Sequence, residues 1–153
     1  MSCSIWEYSR LRFLGAYPEQ STYSSADFLK KAVQWFARRG VHVKCVQTDN
    51  GFEFTNRFSP SKKNLLTLFE AVSDKLHIRH KLIRPYTPRH NGKVECSHRE
   101  DQKRFYDKHS FYSLADFGGQ LAVHQNRSNN IPMRPLNWYS PIEFLRTFTT
   151  QDV

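Results

Sequence analysis

The sequence predicts an α/β fold in one domain, and three observations predict it. Short valine-rich and mixed apolar runs alternate with stretches of helical periodicity. Gly, Pro, Asn and Asp punctuate those runs where strands and helices should end. At 153 residues the chain is long enough for one domain with a core of its own. An apolar share of 39%, with 12 Phe, 7 Tyr and 3 Trp, argues against a disordered chain. No run of about 18 apolar residues is present, so no membrane span is expected. The start "MSCSIWEYSR" lacks the basic and apolar regions of a signal peptide.

The elements follow in order. "LRFLGAYP" (Leu11–Pro18) reads as a strand closed by proline. In "SSADFLKKAVQWFARRG", Phe28, Leu29, Ala32, Val33 and Phe36 share one helical face; a serine can cap the start and Gly40 can end it. "VHVKCVQT" (Val41–Thr48) is short, β-branched and closed by "DNG", as a buried strand should be. "TNRFSPSKK" is a loop; "NLLTLFEAVSDKL" then puts Leu65, Leu68, Phe69, Val72 and Leu76 on one helical face. "HIRHKLIR" (His77–Arg84) is a short strand, and the prolines of "PYTPRHNG" exclude helix there. A helix from about Asn91 to Asp107 carries Val94, His98, Asp101 and Phe105 on its core stripe. Another begins at Ser113, with Asp116 placed as in a capping box, and "SPIE" opens the last, with Ser140 as cap, Pro141 first and Glu143 reaching back. Gly118-Gly119 either weakens its helix or permits close packing.

Charge narrows the partners. The formal net charge is +9, from 23 basic and 14 acidic residues, a balance that favours polyanions such as DNA, RNA or an acidic surface. The three cysteines are odd in number and far apart, which points to a reducing, cytoplasmic setting without a disulfide framework. Seven histidines carry no Cys-x-x-Cys or His-x-x-x-His spacing, so zinc is not expected.

Two carboxylates stand out. Asp49 ends a strand, where ligands gather in open α/β sheets. Glu95 lies in the first turns of a helix 46 positions later, on a face shared with Arg99, Gln102 and Tyr106. Two rigid carboxylates in a basic chain suit Mg²⁺, which takes hard oxygen donors and keeps waters for a phosphate. The commoner fate of such residues is different: Asp49 closing its own turn, and Glu95 pairing with Arg99 at i+4.

"TDNGFEF" followed by "RPYTPRHNGKVE" resembles the catalytic core of DDE transposases and retroviral-type integrases, above all bacterial insertion-sequence transposases. The resemblance spans residues 8–148, leaving 1–7 as an unmatched leader and 149–153 as a tail. It implies a ribonuclease H-like α/β fold and DNA transposition or integration by phosphodiester transesterification with Mg²⁺ or Mn²⁺. Asp49 matches the second catalytic Asp and Glu95 the catalytic Glu, both as metal ligands.

The family's first catalytic Asp sits on a strand that should precede Tyr8, where only "MSCSIWE" stands. Neither Glu7 nor Asp27 is placed to replace it. The resemblance therefore implies an N-terminally truncated core: the opening strand or strands missing, the sheet interrupted, and the chain inactive alone. Implied partners are element-end and target DNA, further copies of itself or a full-length transposase, and no membrane. For DNA contact we expect Lys81, Arg84, Tyr86, Arg89, His90, Asn91, Lys93, Arg99, Lys103 and Arg104, basic groups with an aromatic among them. His90 and Asn91 serve equally well as turn and cap residues, and His98 reads as a packing histidine. Lys103 and Tyr106 lie further along, within phosphate reach. The alternative function is a non-catalytic DNA-binding or oligomerising remnant that modulates a full-length transposase; a third is a decayed reading frame that folds poorly.

Overall fold

The computed structural model describes residues 2–5, 9–62, 65–83 and 92–149. Strands β1 (Ser2–Ile5), β2 (Arg12–Gly15), β3 (Cys45–Thr48) and β4 (Arg79–Leu82) alternate with helices α1 (Thr22–Ala37), α2 (Leu68–Lys75), α3 (Gly92–Arg104), α4 (Leu114–Asn129) and α5 (Pro141–Thr149). Among the described residues the strands form two separate pairs: β1–β2 antiparallel and β3–β4 parallel. Two short strand pairs with intervening helices are consistent with the incomplete ribonuclease H-like fold expected from the sequence. Strand β1 lies within the stretch read from sequence as an unmatched leader. The chain forms two compact units, Tyr17–Cys96 and Met1–Ala16 with Ser97–Val153.

In the unit Tyr17–Cys96, Ser21 caps α1 by accepting from the Ser24 N–H. Gly40 ends the helix at φ 76°, a conformation glycine adopts without a Cβ penalty. Ala26 and Leu29 pack on Phe69 and Val72 of α2, with Val33, Val46 and Phe54 around them. The expected five-residue apolar face on α2 is corrected. The helix starts only at Leu68, because Thr67 and Glu70 form a capping box that fixes its first turn. Leu65 stays outside it, 63% exposed, and Leu68 and Leu76 are exposed too. Strand β3 pairs with β4 from Cys45↔Arg79 to Thr48↔Leu82.

In the other unit, β2 is closed on one side by β1 and on the other by amide side chains of α4. Asn129 accepts from the Arg12 N–H at 2.9 Å and donates to the Arg12 carbonyl at 2.8 Å. Gln125, one helical turn earlier, accepts from the Leu14 N–H at 2.6 Å. An i, i+4 step on a helix (~6 Å) matches an i, i+2 step on a strand (~6.7 Å), so two amides can serve two backbone positions. Arg12 pairs with Asp101 of α3, whose other oxygen lies 2.8 Å from His124 Nε2; Arg12 also donates to Ser128 Oγ at 3.3 Å. Asp101 is 1% exposed. Burial pushes its carboxyl up, but the His124 and Arg12 hydrogen bonds outweigh this and hold it below the usual carboxylate range. Phe105, Leu14 and Leu121 make the apolar core, ringed by Ala16, Tyr106, Phe111 and Phe117.

The helix starts at Ser113 and Ser140 appear as read: Ser113 accepts from the Asp116 N–H, and Ser140 and Glu143 exchange bonds at 2.8 and 3.3 Å. Two smaller readings are corrected. His98 is exposed, while Asp101 and Phe105 further along α3 are buried. A Cβ at Gly118 or Gly119 would meet nothing within 4 Å, so neither permits a close approach.

Candidate active site and nucleic-acid face

Parallel pairing brings β3 and β4 out at the same end, and Asp49 follows β3 there as an exposed residue. Its Oδ1 accepts from the Gly51 N–H at 3.0 Å, so the carboxylate closes its own turn and keeps Oδ2 outside that bond. Asn50 donates from Nδ2 to the Ile83 carbonyl at 3.0 Å, which ties this turn to the exit of β4. Asn50 Oδ1 is buried and has no hydrogen-bond partner among the described residues.

A second tie comes from His80 on β4. Its Nε2 lies 2.7 Å from Thr48 Oγ1, and the Thr48 hydroxyl donates to the Asp49 carbonyl at 3.0 Å. Since that proton is committed, His80 must donate, which assigns the Nε2–H tautomer. Burial, opposed by Glu70 and Asp74, holds His80 below the ordinary histidine range and so keeps the ring neutral. Its ring also packs edge-on against Phe69, 5.1 Å between centroids. Neither tie was legible in the sequence; the available signals were the Asn of "DNG" and the polar member of the alternating "RHKL".

Glu95 sits in the first turn of α3 and is exposed. The expected competitor is absent: Glu95 and Arg99 form no ion pair. Asp49, Lys81 and Glu95 belong to the Tyr17–Cys96 unit, and Arg99, Lys103 and Arg104 to the other. Lys81, Arg99 and Lys103 are exposed. Arg104 is exposed as well, but its Nε lies 2.8 Å from Glu100, which offsets part of its charge. Tyr106 is corrected. Helix α3 ends at Arg104, and the Tyr106 ring turns into the aromatic cluster with Phe105, Phe111 and Phe117. Arg84, Tyr86, Arg89, His90 and Asn91 lie outside the described residues, as does the side chain of Lys93.

Among the described residues no three His, Cys, Asp or Glu side chains are grouped as metal ligands. The carboxylates of Asp49 and Glu95 are nevertheless hard oxygen donors, exposed and outside every ion pair among the described residues, which fits Mg²⁺ or Mn²⁺. Asp27, by contrast, is occupied by the Tyr17 hydroxyl and Lys31, each at 2.7 Å.

This arrangement, an α/β unit with a carboxylate at the strand exit, has the fold of integrase catalytic cores, the ribonuclease H-like class. Residues 76–131 match the family described as "Integrase core domain". Over 150 residues the chain is 28% identical to "Putative integrase ORF3" of Spiroplasma virus SpV1-C74, covering 95% of this chain and 41% of that protein. It thus spans less than half the length of that curated relative. Two solved structures share the fold. One is the simian T-cell lymphotropic virus intasome in complex with PP2A regulatory subunit B56 gamma, with TM-score 0.66, 18% identity, and coverage of 92% of this chain and 46% of that one. The other is the catalytic core domain of BIV integrase, with TM-score 0.62, 18% identity, and coverage of 100% and 96%. No helix among the described residues is long and apolar enough to cross a membrane.

Proposed function

We propose that this chain is the catalytic core of a DNA integration or transposition protein, built for divalent-metal-dependent strand transfer. The observation that carries the reading is Asp49, exposed at the exit of a parallel strand pair, with its turn tied to β4 by Asn50 and His80. Asp49 and Glu95 would hold Mg²⁺ or Mn²⁺. When bound, the ion supplies charge stabilisation to the attacking and leaving oxygens of a phosphodiester. The chain's own contribution is to orient the two carboxylates and to neutralise backbone phosphates through Lys81, Arg99 and Lys103, with Arg84, Tyr86, Arg89, His90, Asn91, Lys93 and Arg104 as further proposed contacts.

The resemblance assigns family carboxylates to Asp49 and Glu95 alone, and we propose that these two support little or no strand transfer by themselves. The experiment is a strand-transfer assay on labelled oligonucleotides with Mg²⁺ or Mn²⁺. Product formation by the purified chain, abolished in Asp49→Ala, would overturn the two-carboxylate account.

A second reading rests on the excess of basic groups together with the absence of a three-ligand cluster among the described residues. In it the chain binds DNA, or joins a full-length transposase, without cutting. Salt-sensitive duplex binding that is indifferent to metal and to Glu95→Gln would favour this reading over the first.

A further inference from the structure

The unit Tyr17–Cys96 has a second pole, at the opposite end of β3 and β4 from Asp49. Helices α1 and α2 start together: the Phe69 N–H at the start of α2 donates to Thr22 Oγ1 at the start of α1, 3.3 Å. Each then leads by a short link into the amino end of its strand, through residues 38–44 into β3 and 76–78 into β4. The links meet where the Arg79 N–H donates to the Lys44 carbonyl at 3.0 Å. Both links begin in tight turns on their helices: the Val41 N–H donates to the Phe36 carbonyl at 3.0 Å and the Ile78 N–H to the Ser73 carbonyl at 2.9 Å.

What the links carry is positive charge. Arg38, Arg39, Lys44, Lys75 and Arg79 are all exposed, and none forms an ion pair with a carboxylate among the described residues. Asp74 is the acidic residue beside them. Arg39 lies over the Trp35 ring, 3.6 Å to the centroid; burial and then the neighbouring Arg38 push its guanidinium below the ordinary arginine range. A helix carboxyl end attracts a cation, but two helix ends do not need five. Uncompensated like charge opposes compaction unless a polyanion offsets it.

We infer that this basic pole is a binding surface for the phosphate backbone of duplex DNA, separate from the Asp49 end. Three of the five cations are arginines, whose planar fork matches two phosphate oxygens at once. Residues 38–44 and 75–79 contain no Phe, Tyr or Trp that would wedge into a bilayer, so a nucleic acid fits the surface better than a membrane. Strand β3 puts about 13 Å between this pole and Asp49, so one DNA segment can rest here while another occupies the metal end. The inference does not depend on Asp49 and Glu95 being catalytic.

The test is fluorescence anisotropy of a short labelled duplex against the full chain over a salt series. A triple variant, Arg38→Gln with Lys44→Gln and Arg79→Gln, is compared with the parent chain. Each lost phosphate contact removes about 0.9 from the slope of log affinity on log salt. The triple variant should therefore lose about two to three units of slope, and at least about tenfold in affinity at low salt. Should the triple variant fail to fold, Lys75→Glu on its exposed helix end should still lower the slope. An unchanged slope in the folded variant, or capture by phosphatidylserine vesicles without duplex binding, would refute the inference.

Discussion

Asn50 Nδ2 donates to the Ile83 carbonyl at 3.0 Å, binding the turn that bears Asp49 to the exit of β4. Both ends of that bond matter to the site, because Asp49 precedes one and the segment leading to Glu95 follows the other. Asn50→Asp replaces the donor with an acceptor that faces a carbonyl. It should lower stability by about 1–3 kcal/mol and weaken metal binding in step, measured by urea unfolding and by Mn²⁺ titration. Asn50→Asp with parental values in both would mean the tie does not hold the turn.

His80 gives a pH dependence with a definite sign. Its pKa is lower folded than unfolded, where 6.5 is the ordinary value. As pH falls through 6.5 the unfolded chain takes up the proton first, so stability drops towards the lower folded pKa and is unaffected above 6.5. Unfolding free energy measured from pH 8 to pH 5 should bend downward below about 6.5. His80→Gln should flatten that bend, and parallel curves for the two proteins would remove His80 as its source.

Asp101 titrates in the same sense, in a more acid window. Its depressed pKa contributes stability at neutral pH that is lost as pH falls below 3.8 towards the folded value. Asp101→Asn leaves the buried Arg12 guanidinium facing a neutral amide, which should cost about 3–5 kcal/mol. Thermal unfolding of Asp101→Asn and Arg12→Met tests this; a loss under about 1 kcal/mol in both would show the pair to be solvated.

The Thr67 side chain serves two elements: it caps α2 and donates to the Phe54 carbonyl at 2.9 Å. Thr67→Ala should cost about 1–2 kcal/mol, while Thr67→Ser, which keeps the hydroxyl, should recover most of it. Equal losses in the two variants would assign the effect to the missing methyl instead.

Local chemistry was legible from the residues alone. Ser140, Pro141 and Glu143 announce α5, and the Asp-Asn-Gly turn presents Asp49, because caps and turns depend on a few adjacent side chains. Long-range amide pairing was not legible. Asn129 and Gln125 look like ordinary polar positions on α4 until β2 lies beside them, 117 and 111 residues away. The same limit hid His80, whose partner Thr48 is 32 residues distant. Helix α2 was overextended because Leu65, Leu68 and Leu76 mimic an apolar face. Periodicity cannot tell buried leucines from exposed ones, and the Thr67 cap decided the boundary. Tyr106 was misplaced for a similar reason: the helical face it was assigned to ends at Arg104, before the aromatic cluster begins.

Asp49 and Glu95 are proposed to bind one divalent ion together. Electron paramagnetic resonance titration of Mn²⁺ against the chain, Asp49→Asn and Glu95→Gln tests it most directly. Shared ligation predicts binding by the parent and a loss of at least about tenfold in each variant. Parental Mn²⁺ affinity in either variant would contradict it.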